Sequence, residues 1–373
     1  MITRFDDYPV HQAPVPVAQP ATGERNFYDR HWFNAFDPEA GIYLGAGLGL
    51  YPNRRIMDAH LSVLIDGEQH CLHASRRAPE ERQDTRVGPL RVEVLEPLRR
   101  IRIRVEPNET GLEGELCFEA RSAPYEEPRS RLAAEDRVIL DTTRFTQLGG
   151  WQGELRVHGR ALRLEPARFP GARDRSWGVR PVGEPEPGAP PTRLPGVAWF
   201  WNINHFDGLG THFGSFEDPQ GWPSQQSAAL LPLHARPEDI PEGPDPGLLE
   251  LGRGRLEPVW KRGTRWPEAA ALSLTHRNGE IERLELTPRF RFHLKGIGYQ
   301  HAEFGHGRYL GDDFLRGERF RVDELDPESL ENIHAHAICE VRWGDRRGVG
   351  TLETLVFGPH RPSGLEGFLD GKA

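Results

Sequence analysis

The sequence predicts an all-β protein with few, short helices. Three observations carry this expectation. Apolar and polar residues alternate with period two along many short runs. Asp66-Gly67, His158-Gly159 and Asn278-Gly279 stand between such runs, where tight hairpins turn. The 41 glycines and 33 prolines would break long helices but suit short strands. About twenty strands are expected, too many for one small barrel.

The alternating runs follow one another along the chain. Ile101 to Val105 puts three apolar side chains on one face and two arginines on the other. Glu115 to Ala120, Leu155 to His158, Ala271 to Thr275, Ile281 to Leu286 and Phe290 to Leu294 repeat the pattern. One dry face and one wet face is the signature of antiparallel sheets. Helical candidates are confined to Arg129 to Asp136 and Pro327 to Asn332. Two stretches rich in Pro, Gly and Glu, Gly183 to Pro195 and Pro237 to Pro246, read as long loops. A boundary between 190 and 225 gives two domains, 26–215 and 216–373, in keeping with a length of 373 residues.

Composition narrows the function classes. The net charge is −9 and no long basic run occurs, which argues against nucleic acid as a partner. Cys71, Cys117 and Cys339 lie far apart and are odd in number, so no disulfide framework or paired-cysteine metal motif is implied. The first residues lack the apolar core of a signal peptide, and no apolar run approaches the roughly 20 residues of a membrane span. A cytoplasmic protein is the expectation.

Two constellations could carry chemistry. The first is Arg173-Asp174-Arg175-Ser176-Trp177-Gly178, followed after a loop by Val197-Ala198-Trp199-Phe200-Trp201-Asn202. On a strand, Asp174 and Ser176 face one way and Arg173, Arg175 and Trp177 the other. A desolvated Asp174 would keep its proton and serve as a general acid, and nearby indole faces would stabilise a developing cation. The alternative is an Asp174–arginine pair across the sheet with core tryptophans. The second is Tyr299-Gln300-His301-Ala302-Glu303-Phe304-Gly305-His306-Gly307. If this is a strand, Tyr299, His301 and Glu303 share a face at spacings of roughly 6.5 Å. A histidine beside a carboxylate suits proton transfer, and the flanking glycines let the chain aim His306 inward. The alternative is a polar surface hairpin.

A metal reading has weaker support. His301-x-Glu303-x-x-His306 is not the zincin helix pattern. His334-Ala335-His336-Ala337-Ile338-Cys339-Glu340 has the H-x-H-x3-E spacing of a first cupin motif, but Glu328 stands where that motif's leading glycine belongs. No second cupin motif follows Glu340. Gly45-Ala46-Gly47-Leu48-Gly49 lacks dinucleotide-loop spacing and reads as a bend or a place of close packing. The expectation is no metal and no cofactor.

Asp174-Arg175-Ser176-Trp177 resembles the Asp-Arg-x-Trp signature of the carotenoid 1,2-hydratase (hydroxyneurosporene synthase) and AttH-like superfamily, with Trp199-Phe200-Trp201 as its following aromatic strand. The match is closest to an uncharacterised branch. That branch has counterparts of Phe33 to Pro38, of Gly49 to Asn53, of His301 to Gly307, and of Gly348 to Glu353. The resemblance runs from about residue 26 to 357. Ala302 and Phe304 depart from it, replacing the branch's Pro and Trp.

The resemblance implies two consecutive lipocalin-like antiparallel β-barrels packed together, with a cavity for a hydrophobic small molecule. The leading expectation is a cofactor-independent enzyme performing proton-initiated hydration, isomerisation or cyclisation of an isoprenoid or polycyclic substrate. Asp174 would be the acid, and Glu303 or His301 the alternative donor or base. Tyr299 and His306 would orient substrate or water. Trp177, Trp199 and Trp201 would wall the pocket, and Asn202, Asn204 and His205 would hold a polar substrate group. A lipocalin-like carrier and a cupin-like metal enzyme are the rival readings.

Overall fold

A computed structural model describes residues 2–134, 137–183, 189 and 196–373. The expected all-β architecture is present. Two curled half-barrel sheets carry the chain, and no helix among the described residues reaches seven residues. Every strand pairing is antiparallel, as the alternating runs require. In the first sheet the strands lie side by side as Phe314–Arg321, Glu68–Arg77, Ile56–Ile65, Ile42–Tyr51, Phe27–Asp37, Pro170–Val179, Arg137–Val157 and Leu112–Ala120, continuing to Arg86–Val87. In the second the order is Leu249–Glu250, Pro223–Pro232, Leu209–Glu217, Val197–Phe206, Arg346–Phe357, Ala335–Trp343, Ile281–His293, Pro267–Thr275 and Arg253–Trp260.

The turn signals act as expected. Asp66 and Gly67 both have positive φ, 52° and 77°, and join Ile56–Ile65 to Glu68–Arg77. His158 and Gly159 do the same for Arg137–Val157 and Arg160–Leu164. Left-handed backbone at both central residues matches the right-handed twist of the flanking strands. The helical candidates are not helices: Ser130–Ala134 is a strand against Arg137–Val157, and 327–332 is a series of turns. Residues 135 and 136 lie outside the described set. The β-branched and aromatic residues of 137–157 extend that long strand and draw 130–134 into pairing, overriding the helix-forming residues of the shorter segment.

Apolar burial falls into three main groups. One core fills the first sheet with Phe33, Leu44, Leu61, Leu72, Ile103 and Trp151. Another fills the second with Phe200, Phe213, Leu272, Leu284 and Leu352. The third lies where the sheets meet and mixes Trp32, Tyr43 and Leu148 with Trp199, Trp201, Phe292 and Ile338. Phe27–Asp37 and Val197–Phe206 are therefore buried on both faces. That is why neither shows the alternation of a strand with one wet face.

Sheet membership changes between 179 and 197. Val197–Phe206 and Leu209–Glu217 pair within the second sheet. Their inward residues match the second core, and this sets their pairing. One excursion runs the other way. The segment from Leu294 to Val322 leaves the second sheet, crosses the first, and adds Phe314–Arg321 beside Glu68–Arg77.

Candidate active site

Asp174 lies mid-strand in Pro170–Val179, opposite Trp32 on one side and Thr146 on the other. Strand alternation turns Ala172, Asp174 and Ser176 toward the second sheet, and Ala172 belongs to the intersheet core. Arg173 turns the other way, bonding Gln147 and lying over Phe118 and Phe145. Arg175 pairs with Asp29 rather than with Asp174. Asp174 makes no hydrogen bond or ion pair among the described residues. Burial pushes its carboxyl up to about 7, against the pull of Arg144 and Arg30 and with help from Glu127 and Glu353.

Those neighbours form a connected polar layer between the sheets. Arg144 holds Glu127 through Nε at 2.9 Å, and Thr146 donates to the same carboxylate at 2.7 Å. The Arg144 guanidinium lies 4.8 Å from the Trp199 ring, and the Trp199 indole donates to Glu353 at 3.0 Å. His334 Nε2 stands 2.7 Å and His336 Nε2 3.1 Å from Glu353. Burial opposes the Glu353 charge, but these two histidines outweigh it and hold the carboxyl well below the usual carboxylate range. His336 Nδ1 meets the Tyr43 hydroxyl at 2.9 Å.

Aromatic rings surround this layer. Trp32 stands edge-on to Trp201 at 5.6 Å and tilts against His336 at 5.4 Å. The buried Trp201 indole N–H has no partner among the described residues, so it is a donor available to a ligand. Tyr299 packs edge-on to His306 at 4.4 Å and to His334 at 4.9 Å. His306 is pinned between two arginines, with Arg30 at 2.9 Å and Arg180 at 3.0 Å. Burial and these two cations push the His306 ring well below its ordinary pKa, so it stays neutral. Gly47 makes room for this arrangement, because a Cβ there would lie 2.4 Å from the Arg30 guanidinium.

The sequence expectations separate on this geometry. Asp174, Trp199, Trp201, Tyr299 and His306 come together at the sheet junction. Trp177 is 39% exposed and belongs to the face turned away from Asp174. The 299–303 segment is not a strand: it follows the short helical turn Leu294–Ile297, and Gln300 has φ +49°. His301 and Glu303 therefore diverge from Tyr299. His301 Nδ1 accepts the backbone N–H groups of Glu303 and Phe304, each at 3.0 Å, and its Nε2 faces Glu318 at 3.3 Å. Glu303 is exposed. Asn202 and Asn204 turn into the second sheet, bonding each other, Thr351 and Thr211. His205 packs near Phe36 and is pushed by burial down to about 3. The H-x-H-x3-E run is divided too. His334 and His336 bind Glu353, while Glu340 is exposed and pairs with Arg289.

Sequence reasoning missed Arg30, Glu127, Arg144 and Glu353 as site residues. Glu353 had a signal, since it ends the Gly348 to Glu353 motif. Arg30 and Arg144 lie on strands distant in sequence, which only the register of the first sheet brings beside Asp174, and Glu127 follows the short strand Tyr125–Glu126 and is held there by Arg144 and Thr146.

A family model described as a family of unknown function (DUF8625) matches residues 2–366. The chain belongs to this family. No curated protein sequence matches it. Among solved structures, it is similar to an AttH-like protein of Nitrosomonas europaea, with 14% identity, 92% of this chain and 98% of the other covered, and a TM-score of 0.54. It is also similar to kievitone hydratase of Nectria haematococca, with 13% identity, 91% and 92% coverage, and a TM-score of 0.50. The fold is the double-lipocalin fold that the resemblance implied.

Proposed function

We propose that this protein is an enzyme that begins reaction by protonating a hydrophobic small molecule, with Asp174 as the acid. One observation carries the reading: an unpaired carboxyl, pushed up to about 7, faces the aromatic layer between the sheets. At neutral pH such a group holds a proton it can release to a weakly basic carbon. Trp32, Trp199 and Trp201 offer ring faces to the resulting cation. The ionised Glu353 and Glu127 supply negative charge nearby. Glu353 with its partner His334, 2.7 Å away, is the pair to receive a proton from attacking water or from an adjacent carbon. Proton count is conserved, since one enters from Asp174 and one leaves to the Glu353–His334 pair, and the groups reset through solvent.

Hydration fits this scheme, and the shared fold of kievitone hydratase supports it. Isomerisation or cyclisation requires the same first step and differs only in what quenches the cation. No step in the scheme calls on a cofactor, and an isoprenoid or polycyclic compound is the proposed substrate class. The deciding experiment is turnover of prenylated or polyene substrates in deuterated water. Wild type incorporates deuterium at the protonated carbon, Asp174→Asn loses turnover by at least a hundredfold, and Trp177→Ala retains it. Undiminished turnover in Asp174→Asn overturns the assignment. Binding of such compounds by wild type without turnover favours a carrier.

A further inference from the structure

A second polar cluster, absent from the scheme above, lies on the outer side of the first sheet beneath the 294–322 excursion. Cys71 and His73 are two residues apart on Glu68–Arg77 and share a face. Glu318, on the excursion's strand, pairs directly with Cys71. One ligand atom from each, the Cys71 thiol sulfur, a His73 ring nitrogen and a Glu318 carboxylate oxygen, lies within 4.8 Å of the others. Cys71 and His73 are buried, and Glu318 is half-buried. We propose that these three residues bind a divalent transition ion of borderline softness, with Zn2+ as the reference case.

The surrounding hydrogen bonds orient each ligating group. Gln69 is fixed by the His293 backbone, whose N–H it accepts at 2.6 Å and whose carbonyl it meets at 3.1 Å. It donates to Ser62 Oγ at 3.1 Å. The Ser62 hydroxyl lies 3.2 Å from Cys71 Sγ, within reach to donate to the sulfur once a metal ion holds it. His73 Nδ1 meets His60 Nδ1 at 2.9 Å. With the proton on His73, its Nε2 lone pair is bare, and that atom lies 3.5 Å from Glu318 without making a hydrogen bond. His301 cannot be a ligand through Nε2 while Nδ1 accepts two backbone N–H groups. In that tautomer Nε2 carries the proton and donates to Glu318. Each ligand thus has one supporting partner, which is how metal sites orient their ligands.

A tetrahedral zinc site places ligand atoms about 3.4–3.8 Å apart. The half-buried Glu318 side chain has the freedom to close the remaining distance. Binding converts the Cys71 thiol to thiolate and releases that proton to solvent, so affinity rises with pH. Three protein ligands leave a fourth position for water.

The test uses the full chain, stripped with chelator and titrated with Zn2+ by calorimetry and with Co2+ by absorption. Wild type should bind one equivalent and show a thiolate-to-cobalt charge-transfer band. Cys71→Ser should lose the band, and Cys71→Ser and Glu318→Gln should each weaken zinc binding at least tenfold. Cys117→Ser should match wild type. Circular dichroism of the metal-free variants checks that they fold, and Glu318→Gln preserves shape on a half-buried side chain. Absence of stoichiometric binding by wild type, or binding unchanged in both variants, overturns the proposal.

Discussion

Asp174 makes the sharpest residue-scale case because its geometry and its protonation state point the same way. Its folded pKa lies above the ordinary carboxylate value, so the folded protein binds more protons than the unfolded chain between about pH 4 and 7. Stability from this group therefore falls as pH rises through that window. Removing the charge should recover on the order of 2 kcal/mol above pH 7, after allowance for the partial solvent access of the site. Asp174→Asn should accordingly unfold at higher denaturant than wild type at pH 8, with the difference vanishing near pH 4. Wild-type activity should decline above about pH 7 as the acid loses its proton. A variant equal to wild type in stability at both pH values would show that the carboxyl is not desolvated. Trp177→Ala belongs at this scale too. Its half-exposed ring should contribute less than about 1 kcal/mol to stability.

The strands and the 294–322 excursion were not equally legible in the sequence. Hairpins such as the one at Asp66-Gly67 were readable because period-two patterning and left-handed turn residues agree locally. The double-sided burial of Phe27–Asp37 was not, since a strand covered on both faces carries no alternation. The 299–307 segment misled for a related reason. Its polar spacing resembles one face of a strand, but the positive φ of Gln300 and Gly298 breaks that periodicity and sends Tyr299 and His301 into different clusters. Asp174, Trp199, Trp201 and Tyr299 were legible as candidates because motifs mark them. Arg144 and Glu127 were not, because side-chain contacts between segments distant in sequence bring them together. The excursion's close approach is itself testable. A Cβ at Gly298 would fall 2.7 Å from His306 and 2.9 Å from His60, on backbone with φ +88°. Gly298→Ala should cost about 1–3 kcal/mol and disturb the His306 contact with Arg30. Denaturant titration measures the first effect. Loss of activity beyond the loss of folded protein would report the second.

At the scale of the whole molecule, the excursion decides how the two halves depend on one another. Phe314–Arg321 comes from the second half of the chain and forms the edge strand of the first sheet. Without it, Glu68–Arg77 would present an unpaired edge, and the buried layer of Asp58, His60, Gln69 and His73 would meet water on one side. The intersheet core adds a second dependence, since Trp32, Trp199 and Trp201 lose their apolar surroundings if the sheets part. No helix among the described residues is long and apolar enough to cross a membrane. Both dependences predict a single cooperative unit. Urea unfolding followed by tryptophan emission and by far-ultraviolet circular dichroism should give coincident transitions. A chain ending at residue 183 should be aggregation-prone and lack a cooperative transition, because its edge strand and half of its intersheet core are gone. Adding residues 196–373 in trans should restore a folded complex. Two separated transitions in the intact chain would mean that each sheet folds alone and that the 294–322 crossing adds little to their coupling.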